Sequence, residues 1–270
     1  MIQFRQDQCI GCGRCVWDCF PGALDMTSGK AVLSRKENCI GCGHCIAICP
    51  RAAVWDDSLD MAEAVPVRQE VSPETLLDLM RSRRSCRHFR SDPIPVETVQ
   101  TLLDAARACP TAKNLQGTRY IAVAESIPSL LDAALESLGQ VGMLQKRTAT
   151  APDELRRAEN FIAWSEMRKQ DKTFDPLFFH APLLLLFVAS PEGARDAAGA
   201  AAYTELMAAS LGLGCLFSGY FTACAAGNPK IAEILGLSEG QQVVRCLVLG
   251  KPDVRFLRTA PRKPADIQWI

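Results

Sequence analysis

Thirteen cysteines occur in the 270 residues, and eight of them fall into one run written twice. The first copy reads Cys9-Ile10-Gly11-Cys12-Gly13-Arg14-Cys15 with Cys19 beyond it, and the second reads Cys39-Ile40-Gly41-Cys42-Gly43-His44-Cys45 with Cys49 beyond it. Each copy is C-x2-C-x2-C-x3-C. Thiolates at that spacing suit a cubane iron–sulfur cluster: three sulfurs of one tight loop reach three irons, and the fourth iron takes a cysteine of the other run. The expected ligand sets are therefore Cys9, Cys12, Cys15 and Cys49 for one [4Fe-4S] cluster, and Cys39, Cys42, Cys45 and Cys19 for a second. A zinc site of the paired C-x2-C type would leave half of these thiols without a role. A disulfide framework requires an oxidising context, and no feature of the sequence supplies one. The other five, Cys86, Cys109, Cys215, Cys224 and Cys246, are scattered and read as small core residues.

A second chemical group is Arg83-Arg84-Ser85-Cys86-Arg87. Guanidinium forks bind phosphate bidentately and a serine hydroxyl adds a neutral donor. Taken alone, three arginines in five residues suit a solvated basic turn better. No G-x-G-x-x-G or G-x-x-x-x-G-K-[ST] signature accompanies them. His44, His88 and His180 have no metal-ligand spacing among themselves and read as structural.

The cysteine runs resemble those of bacterial two-cluster ferredoxins, with one departure: Pro50 follows Cys49 directly, whereas Phe20 separates Cys19 from Pro21. A wider resemblance covers residues 72–270. Arg83-Arg84-Ser85-x-Arg87, then Cys109-Pro110-Thr111-Ala112-Lys113-Asn114-Leu115-Gln116, then Leu211-Gly212-Leu213-Gly214, Ser218-Gly219, Leu249-Gly250-Lys251-Pro252 and Pro261-Arg262-Lys263 follow the order and spacing of the nitroreductase-like flavoproteins. That resemblance implies FMN as cofactor. It places Arg83, Arg84, Ser85 and Arg87 on the phosphate and ribityl chain, joined late in the chain by Arg262 and Lys263. It sets Thr111, Asn114 and Gln116 along the ring and ribityl hydroxyls. It makes Ser218 and Gly219 the catalytic segment, whose backbone N–H faces flavin N5. It further implies a homodimer with FMN at the interface and an exchanged C-terminal arm. Two departures are Thr111, where serine is common, and Gly117-Thr118, where a tryptophan is common.

The elements that must position these residues divide into residues 1–60, a two-cluster ferredoxin domain, a linker over 61–71, and a flavin domain over 72–270. The expected fold class is α+β, with a central, mostly antiparallel sheet flanked by helices behind the small ferredoxin-like domain. A domain as small as the first has little apolar core, so its clusters are expected to hold it together. Ser72-Pro73-Glu74 predicts a helix start, with Val71 and Leu76 placed for a hydrophobic staple and Leu76, Leu77 and Met80 facing inward. Pro95 opens a second helix with Val96, Val99, Leu102, Leu103 and Ala106 on one face. Strands are expected at 118–124, at Leu183 to Ala189 buried on both faces, and at Gln242 to Leu249. Further helices are expected at Ser126 to Leu138, Pro152 to Gln170, Ala197 to Leu213 and Pro229 to Leu235. The aromatics of 161–179 read as core rather than as a pocket. The proline-rich tail reads as extended, and its end at Trp269-Ile270 is expected to dock on a surface.

Lysine plus arginine and aspartate plus glutamate number 30 each, so no net charge draws the chain to nucleic acid or to an anionic membrane. The first residues lack an apolar signal core and no run approaches the ~20 apolar residues of a membrane span, so a cytoplasmic protein is expected. Clusters exchange electrons singly, whereas flavin collects two. The two together predict an oxidoreductase that takes electrons from a soluble low-potential donor such as ferredoxin, or from NAD(P)H, and passes them through FMN to a nitroaromatic, quinone or activated alkene. The reverse flow, a flavin dehydrogenase exporting electrons through the clusters, is equally compatible with the sequence, as is an electron carrier feeding a partner protein.

Overall fold

The structure, a computed structural model, describes residues 1–68 and 70–270. Gln69, inside the expected linker, lies outside the described residues. The chain forms two compact units: residues 1–71 together with 111–116, and residues 72–110 together with 117–270.

In the first unit β1 (Ile2–Phe4) pairs antiparallel with β4 (Val54–Asp56), and β2 (Leu24–Thr27) with β3 (Lys30–Leu33). Ser28 and Gly29 between β2 and β3 both have positive φ, the two-residue turn whose twist matches a tight hairpin. Each cysteine run carries a single helical turn, α1 (Arg14–Trp17) and α2 (His44–Ala47), entered through a left-handed glycine at 13 and 43. The apolar core is minimal: Ile2, Leu24, Ala31 and Val54 with the thiols of Cys15 and Cys45.

The second unit begins with α3 (Pro73–Ser82), where Ser72 Oγ accepts from the Thr75 N–H as the N-cap reading requires. The inward reading of its apolar side is corrected. Leu76, Leu77 and Met80 are exposed, and Val71 is 70% exposed, so no staple is buried. Helical periodicity gives a face but not what covers it, and nothing in the described chain covers this one. α4 (Val96–Arg107) buries Leu102 and Ala106, while Val96 at its first turn is exposed.

After β5 (Arg119–Val123), α5 (Ile127–Thr148) runs ten residues past the expected end and lies antiparallel against α6 (Pro152–Gln170). Then come β6 (Leu183–Ala189), α7 (Ala194–Ser210), β7 (Gly214–Phe217), α8 (Gly219–Ala225), α9 (Pro229–Leu235) and β8 (Gln242–Gly250). The sheet order is β5-β6-β8-β7, antiparallel throughout. All seven residues of β6 are buried. Leu184, Leu186 and Val188 pack toward α5, α8 and α9, and Leu183, Leu185 and Phe187 toward α4 and α7, which is why the strand is apolar at every position. The five scattered cysteines are buried, as expected of small core residues. Trp269 and Ile270 are fully solvent-facing, so the docking expected of them is not made within the chain. No helix among the described residues is long and apolar enough to cross a membrane.

Candidate functional site

The two cysteine runs interleave. Cys9, Cys12, Cys15 and Cys49 line one hollow, and Cys19, Cys39, Cys42 and Cys45 line another. Local geometry produces the crossing. The single turn α1 carries the chain from Cys15 to Cys19 beside the second set, and α2 returns Cys49 to the first. His44 Nδ1 stands 3.0 Å from Asp18 Oδ2, tying the two turns together. Gly11 cannot be replaced without movement, because a Cβ on it would collide with the Gly29 carbonyl oxygen. The last cysteine of each run receives a backbone hydrogen bond, Ala23 N–H to Cys19 Sγ at 3.3 Å and Ala53 N–H to Cys49 Sγ at 3.2 Å. Bonds of that kind stabilise charge on sulfur and tune a cluster's potential.

The thiol chemistry fits a cationic core. Burial and the neighbouring thiols push Cys45 up to about 12, and burial also raises Cys15, whereas backbone hydrogen bonds at Ala31 and Gly11 lower Cys9. Sulfurs so crowded ionise together only around positive metal, and binding would release their protons. Among the described residues no three histidine, cysteine or acidic groups close on the position of a single ion. Thiols arranged around a hollow suit a multi-iron core instead.

The arginine segment is positioned by the edge of the large sheet. Ser85 bridges Cys215 at the start of β7, and the Cys86 N–H donates to the Cys215 carbonyl at 2.9 Å. Beyond it Phe89 bridges Pro252, the Arg90 N–H donates to Lys251 O at 2.9 Å, and the Asp253 N–H donates to His88 O at 2.8 Å. The segment is thus stitched between β7 and the exit of β8. Close approach requires two glycines: a Cβ at Gly214 would meet Cys86 Sγ at 2.7 Å, and one at Gly250 would meet Pro182 at 2.8 Å and Phe89 at 2.9 Å. With Cys86 buried, Arg84, Ser85 and Arg87 open into a cavity of about 340 Å3 shared with His88, Val254 and Phe256. Two guanidinium groups and a hydroxyl in one cavity suit a phosphate monoester.

Arg83 does not line that cavity. Its Nη1 reaches Glu205 Oε1 on α7 at 2.9 Å, with Glu205 largely buried. Burial lifts the Glu205 carboxyl above the usual carboxylate range, and Arg83 pulls in the opposite direction. With the folded pKa above the unfolded one, protonated Glu205 contributes stability that is complete below about pH 4.3 and lost as pH rises through the folded value. Glu205→Gln has no such titration. Its stability relative to the native chain is expected to rise in urea denaturation over the window that begins at about pH 4.3 and extends through the raised folded value. A difference that stays flat across that window would show that burial does not govern this carboxyl.

Ser218 is buried and already engaged: its N–H donates to Cys246 O at 2.9 Å and its hydroxyl to Leu177 O at 3.4 Å. Gly219, at the start of α8, has open space where a Cβ would stand. Of the two expected catalytic residues, only Gly219 therefore offers an uncommitted approach to its backbone. Thr111, Asn114 and Gln116 are grouped by their contacts with the first unit. Asn114 Nδ2 donates to Gly41 O at 2.9 Å, and Thr111 Oγ1 accepts from the Gln116 N–H at 3.1 Å. Lys113, Asn114 and Gln116 all hold left-handed backbone angles, a strained arrangement for lysine and glutamine. Arg262 and Lys263 are exposed on the tail and do not line the phosphate-suited cavity. Glu205, Val254 and Phe256 had no motif to announce them. An acid in the middle of the alanine-rich α7 was the available hint to Glu205.

A family model described as the nitroreductase family matches residues 80–251, and one described as a 4Fe-4S dicluster domain matches residues 3–56. No curated protein matches the chain. Among solved structures it is similar to a nitroreductase with bound FMN from Bacteroides fragilis, at 19% identity and a TM-score of 0.57 over 72% of this chain and 98% of that one. A BluB-like flavoprotein from Clostridium difficile gives 19% identity and a TM-score of 0.55 over 70% and 94%. An FMN-dependent nitroreductase from Clostridium difficile gives 19% and 0.54 over 74% and 100%. At these identities the likeness is one of fold.

Proposed function

Because the chain belongs to the nitroreductase family, with a 4Fe-4S dicluster domain at its N-terminus, we propose that it is an FMN-dependent oxidoreductase. In this reading it takes single electrons into two [4Fe-4S] clusters and delivers them through FMN to a small acceptor, a nitroaromatic, quinone or activated alkene. The observation that carries it is the presence in one chain of two four-cysteine nests and an arginine-lined cavity suited to phosphate. When bound, the clusters would supply one-electron transfer and the flavin two-electron or hydride transfer.

The chain's own residues perform the rest. Arg84 and Arg87 neutralise a phosphate dianion while Ser85 Oγ donates a third hydrogen bond. Gly219 presents a main-chain edge with no side chain to keep a flat ring away. The Ala23 and Ala53 N–H groups hold charge on Cys19 and Cys49. Covalent fusion keeps the electron-carrying unit at an effective concentration of about millimolar. The homodimer, and a soluble low-potential donor such as ferredoxin, belong to the same reading; the exposed α3 face and tail are what such an assembly would cover.

The test is an anaerobic half-reaction on the oxidised protein. NADH, NADPH and reduced ferredoxin are supplied separately while flavin and cluster absorbance are followed, and small acceptors are then added. Fast reduction by ferredoxin followed by reoxidation with a quinone or nitroaromatic is the expected result. Flavin reduction by NAD(P)H with the clusters lagging would reverse the direction of flow. Absence of reoxidation by any small acceptor would replace the reductase with an electron carrier.

A further inference from the structure

A cleft of about 620 Å3 runs between α5, α6, α8 and the start of α9, with no residue of the arginine-lined cavity among its walls. Its walls are held firmly. Gly142 lets α6 come so close that a Cβ there would meet Ala158 O at 2.6 Å, and one at Gly139 would meet Ser165 at 2.6 Å. The buried Arg168 fastens the same two helices through Asp132 Oδ1 at 2.7 Å. Tyr220 stands edge-on to Phe161 and Trp164, with ring centroids 5.3 and 5.9 Å away, so its position is set by packing before any ligand arrives.

The polar groups of the cleft are unbalanced. Gln145 Oε1 is buried and has no hydrogen-bond partner among the described residues. Buried acceptors are nearly always paired, so an orphan in a roomy cleft points to a donor brought by another molecule. Arg157 lines the same cleft, and no acidic group among the described residues engages it. The two lie at one end, because the Lys146–Glu159 ion pair at 3.0 Å sets the last turns of α5 against the first turns of α6. Glu136 and Lys230, paired at 3.1 Å, stand at the other end, and Phe161 and Tyr220 form the apolar middle.

We propose that this cleft binds a small aromatic carboxylate carrying a hydrogen-bond donor beside its acid group. The carboxylate meets Arg157, the donor meets Gln145 Oε1, and the ring lies against Phe161 and Tyr220. The assignment does not depend on the electron-transfer reading, since every group it uses belongs to the four helices around the cleft.

Anthranilate, benzoate and aniline separate the contributions: the first carries acid and donor, the second only the acid, the third only the amine. Isothermal titration calorimetry on the full-length protein with its cofactors should show anthranilate binding at least about tenfold more tightly than either of the others. Gln145→Leu should erase the preference for anthranilate over benzoate and leave benzoate binding unchanged. Arg157→Gln should weaken both acids and leave aniline unaffected. Arg157 is exposed, so its variant keeps the test open should the leucine variant fail to fold. No saturable binding in the millimolar range, equal affinity for anthranilate and benzoate, or affinities that neither variant alters would each overturn the proposal. Anthranilate binding that disappears when FMN is removed would also overturn it, by placing the probe at the flavin.

Discussion

Cys49→Ala is expected to remove about half of the protein's iron and to leave the same residual centre as Cys12→Ala, although Cys49 and Cys12 belong to different runs. Cys19→Ala should instead match Cys42→Ala. The reason is the crossing: Cys49 shares its hollow with Cys9, Cys12 and Cys15, and Cys19 shares the other with Cys39, Cys42 and Cys45. Iron analysis and low-temperature electron paramagnetic resonance of the four reduced variants would show it. If Cys19→Ala matched Cys12→Ala, each run would be serving its own cluster and the crossed assignment would fall. Removing all iron with a chelator should go further. The first unit has an apolar core of only a few side chains, so its folding free energy is mainly metal-binding free energy. Its hydrogen-exchange protection is expected to collapse while the large sheet keeps its own, because β6 and β8 are sealed in a core that contains no ligand cysteine.

The crossing could be read from spacing because a C-x3-C step spans one helical turn, and one turn is enough to carry a thiol to the neighbouring hollow. Strand Leu183–Ala189 was legible for a related reason: seven apolar residues bounded by Pro182 and Ser190 are too few for a core helix and have no polar side to show solvent. Helix Pro229–Leu235 announced itself through Asn228, whose Oδ1 accepts from the Lys230 and Ile231 N–H groups. Illegible were the facts that depend on what lies opposite. Leu76, Leu77 and Met80 have the spacing of a buried face and are exposed. β7 and α8 are too short for a period, and only their place beside β8 makes them regular. Ser218 and Gly219 look alike as a polar, flexible pair. Cys246 O and Leu177 O claim the serine and leave the glycine open.

The resemblance places Arg83 on phosphate with its three neighbours, and its contact with Glu205 makes that role a matter for test. Glu205 turns it toward α7, while Arg84, Ser85 and Arg87 face the cavity. Replacing Arg84 or Arg87 by alanine is therefore expected to weaken FMN binding about tenfold to a hundredfold each, the loss of one charge-assisted phosphate contact. Riboflavin gives the decisive comparison, since it lacks the phosphate. Its affinity should be nearly the same for the native protein and both variants, so the preference for FMN over riboflavin should shrink in step with the charge removed. Arg87→Lys keeps the charge but loses the fork, and should recover only part of that preference. Arg83→Ala should behave differently: it leaves the largely buried Glu205 carboxylate unpaired, so it should lower the urea midpoint and leave the ratio of FMN to riboflavin affinity intact. Equilibrium titrations of the apoflavin protein with both ligands, beside urea denaturation of each variant, separate the two roles. Should Arg83→Ala abolish the preference while Arg84→Ala spares it, the phosphate would lie on the α7 side of the segment, and the cavity bounded by Val254 and Phe256 would need another occupant.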